Sequence, residues 1–161
     1  MKKSFVVLVM MLAAFSTYAQ TTVTKMSIGE LDAYISNSEK PLIVNFWATF
    51  CKPCVNEIPY FLSHISDRYE GEVDIVLVSL DPKDYYPRKL TAFAGSKKFT
   101  APIIWLNESN ADVFCPRINV KWSGAIPATL MINNKTGAKK FYDRQLTPLQ
   151  FEKEVKQLVN G

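Results

Sequence analysis

Cys51 and Cys54 stand with two residues between them in the stretch NFWATFCKPC, Asn45 to Cys54. Such a pair can be half of a zinc site, a structural disulfide or a redox switch. A structural zinc site takes four ligands. Beyond the apolar run that opens the chain, only Cys115 and His64 could join the pair, and there is no second Cys-x-x-Cys. A disulfide across two intervening residues closes a tiny loop, so as a staple it would constrain the unfolded chain little. Reversible thiol–disulfide exchange is therefore the chemistry these residues favour, with no metal and no cofactor required.

The elements around the pair decide how the two sulfurs differ. Leu42 to Trp47 is an apolar run that reads as a central strand covered on both faces. Ile58, Phe61, Leu62, Ile65 and Tyr69 recur at helical spacing, which predicts a helix from Pro53 to about Arg68 with one buried face. Cys51 then falls at the seam between strand and helix. Pro53 suits the first helical turn, where a missing N–H costs nothing. The free N–H groups and the positive end of the helix dipole would stabilise a thiolate at Cys51. Lys52 adds a cation beside it, although read alone it is also an ordinary solvated lysine. Such surroundings lower a cysteine pKa from about 8.5 to somewhere in the range ~3.5–7.5. Cys51 is thus the expected nucleophile, and Cys54, one turn further in, the more buried resolving thiol.

The rest of the chain alternates helices and strands, as in an α/β sheet sandwiched by helices. Ser27-x-x-Glu30 is a capping box with Met26 and Leu31 as its staple, and Thr147-Pro148-Leu149-Gln150 is another with Leu146 and Phe151. Val73 to Leu80 reads as a second central strand; Ile103 to Leu106 and Thr129 to Ile132 are shorter ones. Asn133 to Gly137 reads as a hairpin loop returning into a strand near Lys139 to Tyr142. The expected order is helix, strand, helix, strand, helix, strand, an irregular segment holding Cys115, two strands and a final helix.

Residues 1–19 carry Lys2 and Lys3, then an unbroken apolar run from Phe5 to Phe15, then small residues at Thr17 and Ala19. This is the pattern of a signal peptide cleaved after Ala19, and the run is short for a membrane span. Residues 20–161 would then form one domain in a periplasmic compartment where disulfides persist. The full chain has a formal charge of +4; the leader takes two lysines and no acids with it, leaving +2. No basic cluster interleaved with aromatics points to nucleic acid.

At this point the residues resemble a known superfamily. LIVNFWATFCKPCVNEIPYF is similar to the first central strand, active-site loop and following helix of the thioredoxin fold, with Pro59 where thioredoxins carry a helix proline. GAIPATLMI resembles the superfamily's loop ending in a cis-proline, here the Ile126–Pro127 bond, which faces the cysteines across a substrate groove. Asn45 stands where ordinary thioredoxins have a buried aspartate, and Glu57 matches an acid of the TlpA/ResA-like exported reductases. Lys83 to about Phe99 looks like the helical insertion of that group. The resemblance implies a thioredoxin-like α/β fold: a mixed central sheet flanked by helices, with an added N-terminal segment and a mid-fold helical insertion. Departures are Phe50 in place of a common Trp, Lys52-Pro53 in place of Gly-Pro, and Trp122-Ser123-Gly124 ahead of Pro127.

Function follows as an expectation. An exported thiol-disulfide oxidoreductase would use Cys51 to attack a partner disulfide. Glu57 would take the proton from Cys54, which then resolves the mixed disulfide. Read by itself, Glu57 is as readily a surface helix carboxylate. Lys52 and the helix terminus favour the thiolate and an oxidising pair, whereas Glu57 opposes a thiolate nearby. The resemblance points to a reductant of disulfides in exported partners, cytochrome c thiols among them, with a membrane electron donor to re-reduce the pair. A thiol oxidase or isomerase is the alternative, and a non-catalytic interaction module the third. Peroxidase relatives usually carry Thr-x-x-Cys here. Phe50, Trp122 and Ile126 are the expected groove contacts; Trp47 and Trp105 suit core or groove rim. His64 is expected on a solvent flank, Cys115 as a buried inert thiol, and Tyr85 and Tyr86 on the surface.

Overall fold

The central strand Leu42–Trp47 is buried at every position, and its alternating side chains face two different cores. The computed structural model describes residues 22–161. The elements are β1 (Val23–Met26), α1 (Ile28–Ser36), β2 (Leu42–Trp47), α2 (Lys52–Arg68), β3 (Asp74–Ser79), α3 (Arg88–Ser96), β4 (Ile103–Leu106), α4 (Ala111–Ile118), β5 (Ala128–Asn133), β6 (Ala138–Tyr142) and α5 (Pro148–Asn160). The leader expected over residues 1–19 lies outside the described residues.

The six strands form one mixed sheet in the order β1-β4-β3-β2-β5-β6. β1, β4, β3 and β2 run parallel, while β5 pairs antiparallel with both β2 and β6. On one face Leu42, Val44 and Phe46 pack with Leu31, Phe114 and Ile118, so α1 and α4 cover that side. On the other, Trp47 meets Ile58 and Leu90, and Ile43 meets Phe61 and Phe151, so α2, α3 and α5 cover it. Period-two alternation thus puts Asn45 on the same face as Ile43 and Trp47, under α2.

Both capping boxes form as their sequences predict, at Ser27/Glu30 and Thr147/Gln150. Two elements differ from expectation, and a third, the helical insertion, takes a broken form. β1 precedes the first helix at the sheet edge and is half exposed; VTKM is short and mixes polar with apolar residues, so it carries no period to read. Cys115 lies on α4, not in an irregular stretch. Pro116 removes only the hydrogen bond to the Asp112 carbonyl; Asn110 caps the helix, and burial of Phe114, Cys115 and Ile118 on one face outweighs the loss. The segment from Lys83 to Phe99 is a 3-10 turn at Lys83–Tyr85, a cis Tyr86–Pro87 bond and then α3.

Candidate redox site

β2 ends at Trp47, and the chain turns within four residues into α2, with Cys51 as the helix N-cap. The cap is the sulfur itself: the backbone N–H of Cys54 points at Cys51 Sγ at 3.4 Å. Pro53 occupies the first turn, where its missing N–H leaves no bond unmade. Cys51 and Cys54 are joined as a disulfide. Cys51 is 7% exposed and Cys54 is fully buried, so the two sulfurs differ in access. Lys52 and Pro53 are exposed beside them.

Glu57 lies three residues past Cys54 and therefore on the same helix face. It is only 4% exposed, so it is not a surface carboxylate. Asn45 Nδ2 donates to Glu57 Oε1 at 3.0 Å, and the Leu146 N–H donates to Oε2 at 3.0 Å. Burial raises the Glu57 carboxyl from 4.5 to about 7, against the pull of these two donors towards the ionised form. Asn45 also donates to Thr129 Oγ1 on β5 at 3.0 Å, which ties β2, β5 and α2 together at this acid. A carboxyl that titrates near neutrality beside a buried cysteine can accept and return a proton.

The Ile126–Pro127 bond is cis and leads into β5, antiparallel to β2. Pro127 is buried and Ile126 half-buried. Phe50, next to Cys51, is 69% exposed and free to meet a partner. Trp122 is not on a groove rim: it is 4% exposed, packed among the rings of Phe46, Phe114 and Phe141. Its Nε1–H donates to the Ala125 carbonyl, so the side chain props the cis-proline loop from inside the core. His64 also departs from expectation. It is 6% exposed between Tyr60, Tyr69 and Phe151, and burial lowers its pKa. The helical face carrying Phe61 and Ile65 is wide enough to take His64 in as well. Tyr86 is half-buried and stacks on Trp105 at 4.8 Å between ring centroids. Cys115 is buried, as expected, and burial pushes its thiol upward.

Sequence reading missed two residues of the site. Thr49 and Asp81 link the cysteine loop to the end of β3 through Asp81's carboxylate. The signal available was an acid directly after a buried parallel strand, since loops at the carboxyl ends of such strands build sites. Among the described residues no cluster of three or more histidine, cysteine or acidic side chains is arranged to hold a metal.

A mixed sheet of this order, with a cysteine disulfide at the end of a central strand and a cis-proline beside it, defines a thioredoxin-like protein. The chain belongs to the AhpC/TSA family, whose model matches residues 19–137. It is 30% identical over 76 residues to thioredoxin-like protein YneN of Bacillus subtilis, covering 47% of this chain and 44% of that one. It is 27% identical over 161 aligned positions to thiol-disulfide oxidoreductase ResA of Geobacillus thermodenitrificans, covering 88% and 86%. Among solved structures, a thioredoxin-related protein from Neisseria meningitidis serogroup B aligns with a TM-score of 0.65 at 24% identity, over 79% of this chain and 90% of that one. The chain spans less than half the length of the first curated relatives it matches.

Proposed function

We propose that this protein is an exported thiol-disulfide oxidoreductase that donates electrons to disulfides of extracytoplasmic partner proteins. The observation that carries the proposal is Glu57, a buried carboxyl titrating at about 7 on the helix face of a fully buried Cys54. Its hydrogen bonds tie α2 to β2 and to the approach of α5, yet burying an acid costs free energy that an apolar residue would not. The acid has a chemical reason to be there, because the resolving thiol must lose a proton before it can attack.

The steps balance as follows. The Cys51 thiolate, favoured at the N-terminus of α2, attacks one sulfur of a partner disulfide; a mixed disulfide forms and the other partner sulfur leaves as a thiolate. Glu57 takes the proton from Cys54. The Cys54 thiolate attacks Cys51 Sγ, which forms the Cys51–Cys54 disulfide and releases the second partner thiolate. Two electrons pass to the partner, and the protein is left in the disulfide form seen here. Lys52, Pro53 and Pro127 modulate the pair, and Phe50 and Ile126 form the surface a partner chain would lie against. A membrane electron donor returns the pair to its dithiol form. Cytochrome c thiols are one client class that fits a reductant of this kind. Periplasmic export rests on the leader expected at residues 1–19, and the similarity to thiol-disulfide oxidoreductase ResA supports the exchange chemistry.

Trapping with Cys54→Ser tests the assignment. The variant lacks the resolving thiol, so partners should accumulate as mixed disulfides through Cys51, identifiable after purification under non-reducing conditions. Mixed disulfides that accumulate only with Cys51→Ser would reverse the roles of the two cysteines.

A further inference from the structure

Asp81 is a buried acid that the exchange steps do not use. It is 4% exposed and sits just beyond β3, the strand paired with β2. Among the described residues no lysine or arginine pairs with it, so its charge is held by hydrogen bonds. Both carboxylate oxygens accept from the Thr49 N–H at 3.1 Å, and Oδ1 accepts from Thr49 Oγ1–H at 2.6 Å. Oδ2 accepts from Ser79 Oγ–H at 2.8 Å. The Asp81 backbone is held as well: its carbonyl accepts from Trp105 Nε1–H at 2.7 Å, and its N–H donates to Ser79 Oγ at 3.1 Å. Asp81 is therefore anchored to β3 and β4, and its other hydrogen bonds reach Thr49. Thr49 lies in the short loop between β2 and α2, where the Cys51 N–H also donates to the Ala48 carbonyl at 3.0 Å. With the Thr49 N–H turned inward to Asp81, Phe50 projects outward at 69% exposure and Cys51 reaches the helix N-cap.

We propose that Asp81, acting through Thr49, is a positioning residue for the attacking thiol: it fixes the loop so that Cys51 Sγ sits at the N-terminus of α2. The inference rests on the reading of Cys51 as the attacking thiol. A desolvated carboxylate with three donors on it is a stiffer tie than a neutral contact, because charge-assisted bonds are shorter and stronger. Stiffness matters here because the field of a helix terminus falls off within its first turn. A loop free to drift would carry the sulfur out of that field, although the fold itself would remain.

The test uses the reduced full-length chain carrying Cys54→Ser, in which the rate of iodoacetamide alkylation at the Cys51 peptide is followed against pH by mass spectrometry. Thr49→Val keeps the shape of the side chain and removes its hydroxyl; Thr49→Ser restores the hydroxyl. Thr49→Val should raise the apparent pKa of Cys51 by about half a unit, and so slow alkylation near neutral pH by about threefold. Thr49→Ser should return both to the parent values, and Thr49→Val should lower the thermal midpoint by no more than the loss of one hydrogen bond to a buried carboxylate, with the fold retained. Asp81→Asn, which keeps one acceptor oxygen, should shift the pKa upward by less than Asp81→Ala. An unchanged Cys51 profile in Thr49→Val would overturn the proposal. So would a lowered pKa in Asp81→Asn beside an unmoved Thr49→Val, because that pattern marks a through-space charge effect without positioning. If the parent itself shows no depressed pKa at Cys51, the reading of Cys51 as attacking thiol fails, and the positioning role falls with it.

Discussion

At Glu57 two opposed demands meet in one side chain. Desolvation drives the carboxyl towards its neutral form, and two N–H donors, from Asn45 and Leu146, hold it open to ionisation. The balance at about 7 has consequences for both rate and stability. The rate of mixed-disulfide resolution should rise through an inflection near that pH, and Glu57→Gln should abolish the inflection. Asn45→Val removes one donor to the carboxylate and should move the inflection upward by about half a unit to one unit; stopped-flow resolution rates across pH check both. For stability, a carboxyl whose folded pKa lies above its unfolded value binds its proton more tightly when folded. Its contribution is therefore full below pH 4.5 and is lost as pH rises through about 7. The decline is on the order of 3 kcal/mol for a shift of this size. Denaturant titrations from pH 5 to 8 should show it in the parent and not in Glu57→Gln. His64 runs the other way, because its buried imidazole has a depressed pKa: folding stability falls as pH drops below 6.5. Glu152 and Asp67 moderate that fall, and Arg68 deepens it. His64→Phe should flatten the acid limb of the same titrations.

Among the elements, α5 links stability to the site. Its N-cap Thr147 follows Leu146, whose N–H holds Glu57. Its Phe151 stacks on Phe61 of α2 with ring centroids 3.8 Å apart. Thr147→Ala should cost about 1 kcal/mol in denaturant unfolding, and should also shift the Glu57 inflection, because the Leu146 N–H loses its fixed direction. Helix ends of this kind are readable from sequence because a capping box is a local pattern with a local cause. The same holds for β2, an apolar run, and for α2, whose apolar period is long. β1 and α4 were not readable. A four-residue edge strand has no period of its own and exists because β4 offers it a free edge. α4 forms in spite of Pro116 because its apolar face has a core to enter, which is a property of the packed molecule. Trp122 and His64 fail for the same reason: an aromatic near a loop and a histidine on a helix carry no local sign of which side the core will be.

For the whole molecule, the parallel run of β1, β4, β3 and β2 sets the direction of the site. Through the paired registers Val23 is level with Ile103, Leu77 and Asn45, and Cys51 lies beyond the carboxyl end of β2, so the site sits where the parallel strands end. The cysteine pair could be picked out by residue type and spacing, whereas Glu57 and the loop before β5 were expected only through the resemblance to the thioredoxin superfamily. Asp81 could not, because what it holds is Thr49, 32 residues away. The direction of electron flow is also a property of the assembled site: Lys52 and the helix terminus favour the thiolate, and Glu57 opposes it. Equilibration of the Cys51–Cys54 pair against glutathione redox buffers measures the sum. A midpoint more negative than about −220 mV is the result a donor of electrons requires, and one near the ~−120 mV of a strong oxidant would contradict it.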